Sequence, residues 1–175
     1  MDSSGILRKS KEYRDYTAEN LAGIVRVPGF SGTEGDRIAL LKKMCEHAGM
    51  EDVHIDGFGN LLGRVGTGRK TLAFDAHIDT VGVGDPAQWK IPPHSGLIED
   101  GLVHGRGTSD QLGGAASMIT AARILKESGY AGDYSVWFVF SGSEEDCDGL
   151  CWKYIIEEDS FRPDFVVSTE PTSCR

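Results

Sequence analysis

The run Ser135-Val136-Trp137-Phe138-Val139-Phe140 decides the fold, and it leads directly into Ser141-Gly142-Ser143-Glu144-Glu145. A strand with one wet face alternates apolar and polar residues. A run that is apolar nearly throughout predicts a strand buried on both faces, as in the middle of a mostly parallel sheet. Two further stretches read in the same way. Thr71-Leu72-Ala73-Phe74-Asp75-Ala76 runs into His77-Ile78-Asp79, and Phe165-Val166-Val167-Ser168, read as another short buried strand, runs into Thr169-Glu170.

The flanking sequence supplies helices and turns. Residues 11–27 read as an amphipathic helix, with Tyr13, Tyr16, Leu21, Ile24 and Val25 at helical spacing and Pro28-Gly29 as its stop. Thr33-Glu34-Gly35-Asp36 offers a cap for a second helix, whose stripe is Ile38, Leu41, Met44, Cys45 and Ala48 and whose end is Gly49. The period then switches to two. Val53-His54-Ile55 turns through residues 56–60 into Leu61-Leu62-Gly63-Arg64-Val65, and Asp100-Gly101 marks a small hairpin between residues 96–98 and 102–104. Residues 111–128 form the next helical stretch, with Ala115, Met118, Ile119, Ala122 and Leu125 on one face and Gly129 after it; residues 149–158 fit a further helix. This order predicts an α/β fold, a mostly parallel mixed sheet flanked by helices.

Composition narrows the functional classes. At 175 residues the chain is one domain or a large piece of one. A formal net charge of −9 argues against a nucleic-acid partner, because phosphate binding needs a basic face. No window approaches the ~18 apolar residues of a membrane helix, and the N-terminal residues lack the apolar core of a secretory signal. The cysteines are Cys45, Cys147, Cys151 and Cys174, too few for a disulfide scaffold, which predicts reduced thiols and a cytoplasmic location. Cys147 and Cys151 stand four apart, but no second Cys or His pair accompanies them, so free or buried thiols are expected there.

The chemistry lies at the strand ends. Ligands of open α/β sheets bind outside the carboxyl ends of the strands. If the three strands are parallel neighbours, His77, Asp79, Glu144, Glu145 and Glu170 converge, and Asp110, which ends Gly105-Arg106-Gly107-Thr108-Ser109-Asp110 at the start of a helix, joins them. Five carboxylates and an imidazole in one cleft need a counter-charge, which a divalent metal supplies. Residues i and i+2 of an extended segment point the same way, so Asp79 can orient the His77 ring through its non-ligating nitrogen. The structural readings of the same residues are plainer: Glu144-Glu145 as a solvated loop, and Asp110 as a helix cap. Other templates fail. Gly63–Thr71 nearly spells a phosphate loop, but its Lys comes one place late and a strand follows it. Gly105-x-Gly107 lacks the third glycine of a dinucleotide fingerprint, and Gly29-Phe30-Ser31-Gly32 has the wrong spacing for a nucleophile elbow.

Taken together, residues 76–81, Gly105–Asp110, Glu144-Glu145 and Ser168-Thr169-Glu170-Pro171-Thr172 resemble the motif set of the dinuclear metallopeptidase and deacylase family that includes glutamate carboxypeptidase, acetylornithine deacetylase and succinyl-diaminopimelate desuccinylase. Residues 144–152 with the Thr-Glu-Pro-Thr ending most resemble the subgroup described as selenium-metabolism-linked hydrolases. The resemblance implies that His77 and Glu170 bind one metal, that Glu145 binds a second, and that Asp110 bridges the two. It implies Asp79 as the residue orienting His77, and Glu144 as the general base that takes a proton from the attacking water. Two divalent ions are implied, zinc first, with cobalt or manganese as alternatives. The implied substrate is a small acylated amino acid or short peptide cleaved at its amide bond, and full-length relatives are often homodimers. Relatives of this kind continue into a lid or dimerisation domain and a returning catalytic segment with a further metal-binding His. Residues 1–175 therefore read as the N-terminal part of the catalytic domain. Expected of this chain alone are little or no turnover and an uncovered, poorly soluble sheet edge. The competing reading is a non-catalytic metal-binding or scaffold remnant of such an enzyme.

Overall fold

In the computed structural model, which describes residues 3–172, the strand of the apolar run is β6 (Tyr134–Ser141), third of five in a sheet that also contains β1 (Glu51–Ile55), β2 (Leu61–Val65), β3 (Lys70–His77) and β7 (Phe165–Ser168). The order is β1-β2-β6-β3-β7. β6 pairs parallel with β3, β3 pairs parallel with β7, and β2 is antiparallel to both β1 and β6, so β2 alone runs against the other strands. A two-stranded hairpin of β4 (Leu97–Glu99) and β5 (Leu102–His104) stands apart, as the Asp100-Gly101 turn predicts. Met1, Asp2 and residues 173–175, Cys174 among them, lie outside the described residues.

Alternation along β6 explains its composition. Val136, Phe138 and Phe140 face one core, which they share with Ile24 and Val25 of α2 (Arg14–Val25), Ile38 and Leu41 of α3 (Gly35–His47), and Ala115 and Ile119 of α4 (Leu112–Glu127). Val139 and Trp137 face a second core with Leu62, Ala73 and Ile155 of α6 (Leu150–Glu157). Helices thus cover both faces, and within the strand only Tyr134 and Trp137 keep partial exposure. The turn from β1 to β2 is built by one side chain: Asp56 Oδ1 accepts the N–H groups of Phe58, Gly59 and Asn60 at 2.8–2.9 Å. No helix among the described residues is long and apolar enough to cross a membrane.

Three expectations change. The N-terminal helix is two helices, α1 (Ser3–Glu12) and α2, which part at Tyr13. α1 and the junction at Tyr13 are held by long-range polar contacts to Glu127 of α4, from Lys9 Nζ at 2.9 Å and from Tyr13 Oη at 2.5 Å, which hydrophobic spacing does not report. Second, β7 is not buried. It is the edge strand, pairs with β3 alone, and leaves Phe165 58%, Val166 48% and Val167 43% exposed. Its composition matches a central strand, but burial depends on what packs over it, and all four of its residues are exposed. Third, Glu144 and Glu145 do not lie in a plain loop. They begin a four-residue helix, α5 (Glu144–Cys147), between Ser143 and Asp148, both in the left-handed region.

Candidate metal centre

The carboxyl ends of β3, β6 and β7 point to one corner of the sheet, and the turn before α4 faces them. His77, the last residue of β3, is buried. Its Nε2 stands 3.0 Å from Asp110 Oδ1, 3.7 Å from Glu170 Oε1 and 3.8 Å from Glu144 Oε2. Its Nδ1 faces backward, 3.3 Å from Asp79 Oδ1 and 3.1 Å from the Asp79 carbonyl. Two triads result, His77–Asp110–Glu145 and His77–Glu144–Glu170, each with its possible ligand atoms within 4.8 Å of one another. All six residues singled out from the sequence are therefore brought together. Asp110, Glu144, Glu145 and Glu170 keep some exposure and line the mouth, whereas His77 and Asp79 are interior. A cleft of about 170 Å³, lined by Val81, Arg106, Thr108, Asp110 and Glu145, opens beside them. A larger apolar trough of about 900 Å³ under α4, walled by Phe74, Met118 and Phe138, contains none of the six.

Asp79 organises the interior side. Its carboxylate accepts from Ser31 Oγ at 2.6 Å and from the backbone N–H groups of Glu144 and Glu145 at 3.0 and 3.1 Å. Burial opposes its ionisation, but these bonds and the His77 ring outweigh burial and hold it below its ordinary value. Burial likewise disfavours the His77 cation. Hydrogen bonds to Asp79 and Asp110, with the charges of Asp79 and Glu144, overcome it and raise His77 from 6.5 to about 9. Glu144 and Glu145 are pushed upward, first by burial and then by neighbouring carboxylates, with partial relief from His77. Burial pushes Asp75, two residues before His77, up to about 6. Besides burial, the neighbouring carboxylates push these acids upward, and a cluster of like charges at one corner calls for a cation. One imidazole nitrogen among carboxylate oxygens is a donor set that suits zinc, manganese or cobalt, so the residues fit divalent ions.

Several residues of the site were not found in the sequence. Gln111, fully buried after a cis Asp110–Gln111 peptide, donates through Nε2 to Glu170 Oε1 and accepts from Thr169 Oγ1 at 2.6 Å. Gly113-Gly114 at the start of α4 is the signal that could have pointed there, because a methyl group on Gly114 would collide with Thr169. Glu34 and Asn60 were also missed. Each accepts a backbone N–H from the loop ahead of Glu144, Ser143 to Glu34 Oε1 and Gly142 to Asn60 Oδ1. No local pattern announces either contact.

The sheet delivers a histidine and four acids to one corner, an arrangement whose donor atoms could hold divalent metal ions. The sequence profile of Peptidase family M20/M25/M40 matches residues 73–175, and the chain belongs to that family. Over 170 residues it is 46% identical to the uncharacterized protein YgeY of Escherichia coli, an alignment covering 97% of this chain and 42% of that protein. It is 35% identical over 130 residues to a succinyl-diaminopimelate desuccinylase of Xanthobacter autotrophicus, covering 71% of this chain and 34% of that one. Among solved structures, the di-peptidase Dug1p of Saccharomyces cerevisiae superposes with a TM-score of 0.84 at 18% identity, covering 95% of this chain and 40% of that one, a likeness of fold. The chain thus spans 34–42% of the length of these proteins.

Proposed function

We propose that residues 1–175 are the N-terminal part of the catalytic domain of a two-metal amide hydrolase acting on small acylated amino acids or short peptides. The observation that carries the reading is the pair of overlapping His–carboxylate triads at the shared ends of β3, β6 and β7. Nε2 of His77 has a single lone pair, so two ions cannot both take it. His77 and Glu170 would hold one ion, Glu145 the other, and Asp110 would reach both. When bound, the ions, zinc by preference with cobalt or manganese as alternatives, would supply Lewis acidity toward the substrate carbonyl and lower the pKa of water.

The protein's own groups do the rest. Asp79 holds Nδ1 of His77 and so aims Nε2 outward. Glu144 stands at the mouth with an elevated pKa, as suits a base that takes a proton from water and returns it to the departing amine. The water oxygen joins the acyl carbon, the C–N bond breaks, and the amine leaves protonated, with no covalent enzyme intermediate. Catalytic zinc sites usually keep three protein ligands. Asp110 and Glu145 give the second ion two, so we expect its third from a segment beyond these residues, together with groups that grip the substrate. Cys45 and Cys151 are buried free thiols, which is compatible with a reducing cytoplasmic setting.

The test is metal stoichiometry by elemental analysis after zinc or cobalt loading, beside Glu170→Ala, followed by amine release from a panel of dipeptides and N-acyl amino acids with any encoded downstream segment restored. One to two equivalents, reduced in the variant, with amine release in the restored protein, is the expected result. A folded chain that takes up no metal overturns the reading. Metal uptake without turnover in the restored protein favours the non-catalytic remnant.

A further inference from the structure

Four consecutive backbone N–H groups leading into the acidic pair each end on a side-chain oxygen. Gly142 donates to Asn60 Oδ1 at 3.0 Å, Ser143 to Glu34 Oε1 at 2.8 Å, Glu144 to Asp79 Oδ1 at 3.0 Å and Glu145 to Asp79 Oδ2 at 3.1 Å. Asp79 also faces the His77 ring. Glu34 offers no oxygen to either His–carboxylate triad, so its part in the site is indirect.

Glu34 occupies the N-cap position before α3, and its side chain makes no capping bond there. Its Oε1 turns instead to the loop between β6 and α5. There it accepts from Ser143 N–H at 2.8 Å and Ser143 Oγ at 3.0 Å, and it also accepts from Gly32 N–H, two residues before it, at 3.0 Å. It is 7% exposed, and a carboxylate so buried is tolerated only when well paired. Arg37, fully buried one turn along α3, donates to the carbonyls of Val27, Gly29 and Ile78 and lies close enough to feel the charges of both Glu34 and Asp79. Ser143 itself sits at φ 54°, ψ 32°, a left-handed conformation that a non-glycine residue keeps only where its surroundings hold it. Glu34 supplies that hold, since both donors of Ser143 end on its one oxygen. Rotation of Ser143 out of this region would re-aim Glu144 and Glu145 together.

We propose that Glu34 is a positioning residue of the metal centre, acting through Ser143 to fix the backbone from which Glu144 and Glu145 project; the inference rests on the two-metal reading above. Two readouts on the 175-residue chain test it, in Glu34→Ala and in the isosteric Glu34→Gln.

The first needs no metal. Amide hydrogen exchange by NMR in Glu34→Ala should quicken at Ser143, Glu144 and Glu145 by roughly tenfold or more, the loss of a charge-assisted hydrogen bond, while β3 and β6 stay protected. The second is cobalt titration followed by visible absorption. Affinity should fall roughly 10–100-fold with an altered spectrum, as when a group that orients metal ligands is removed. Glu34→Gln keeps an acceptor oxygen and should lie between wild type and Ala in both; if Glu34→Ala does not fold, it carries both readouts. Local exchange and a cobalt spectrum that match wild type, beside a lower unfolding temperature alone, overturn the proposal, as does faster exchange with unchanged cobalt binding. If the wild-type chain takes up no cobalt, the two-metal reading fails, and the exchange measurement still decides whether Glu34 holds the loop.

Discussion

Asp79 Oδ1 lies 3.3 Å behind Nδ1 of His77, while Nε2 of the same ring faces Asp110 Oδ1 at 3.0 Å. The ring has a fixed back and a free front. Asp79→Asn keeps the volume but removes the charge that holds the ring. Metal affinity should fall roughly 10–100-fold with the fold retained, measured by competition against a chromophoric chelator. Unchanged affinity would remove Asp79 from the orienting role.

The metal-free chain should lose stability as pH rises. His77 moves from 6.5 to about 9 on folding, so its contribution is fully present below pH 6.5 and is lost as pH rises through about 9. Asp75, raised from 3.8 to about 6, loses its contribution in a lower and separate window. Urea midpoints across the upper window should decline in the wild-type chain and stay nearly flat in His77→Gln. A flat wild-type curve would show that His77 is not held as a cation.

Gly114→Ala should weaken the site from outside it. The added methyl group meets Thr169 Oγ1 and Cβ, and lies 3.2 Å from Gln111 Oε1, the pair that abuts Glu170. Overpacking of this kind costs about 1–3 kcal/mol, more than the ~1 kcal/mol that Ala gains over Gly in a helix. The unfolding temperature and metal affinity should both drop. Gly35→Ala, at the first residue of α3, meets nothing within 4 Å and should be neutral or better on both measures.

The edge formed by β7 should drive self-association. Phe165, Val166 and Val167 present an apolar strand paired on one side only, the kind of edge that natural proteins blunt with charge. Val166→Lys should shift the sample toward monomer in size-exclusion chromatography with light scattering. If wild type and variant elute alike as monomers, the edge is harmless.

Much of this molecule was readable from one dimension. A strand covered on both faces shows as a continuous apolar run, so β6 and its place in the sheet followed from residues 135–140. Acids and a histidine gather at or just past the carboxyl ends of β3, β6 and β7, so the convergence of His77, Asp79, Glu144, Glu145 and Glu170 was legible from strand order. Asp110 followed from its glycine-rich approach to α4. Local periodicity and spacing carry this information because each depends on near neighbours in the chain.

Contacts between residues far apart in sequence were decided by the tertiary structure alone. Glu34 reaches Ser143 across 109 positions and Asn60 reaches Gly142 across 82, and neither residue differs locally from an ordinary cap or turn residue. α1 is pinned through Glu127, more than a hundred residues away. β7 has the composition of a buried strand yet lies open, because exposure is a property of what packs above a residue. The sequence by itself named the six groups that the fold brings to one corner. Only the folded chain determined which buried oxygens hold those groups in place, since a hydrogen bond's partner is chosen by proximity in space.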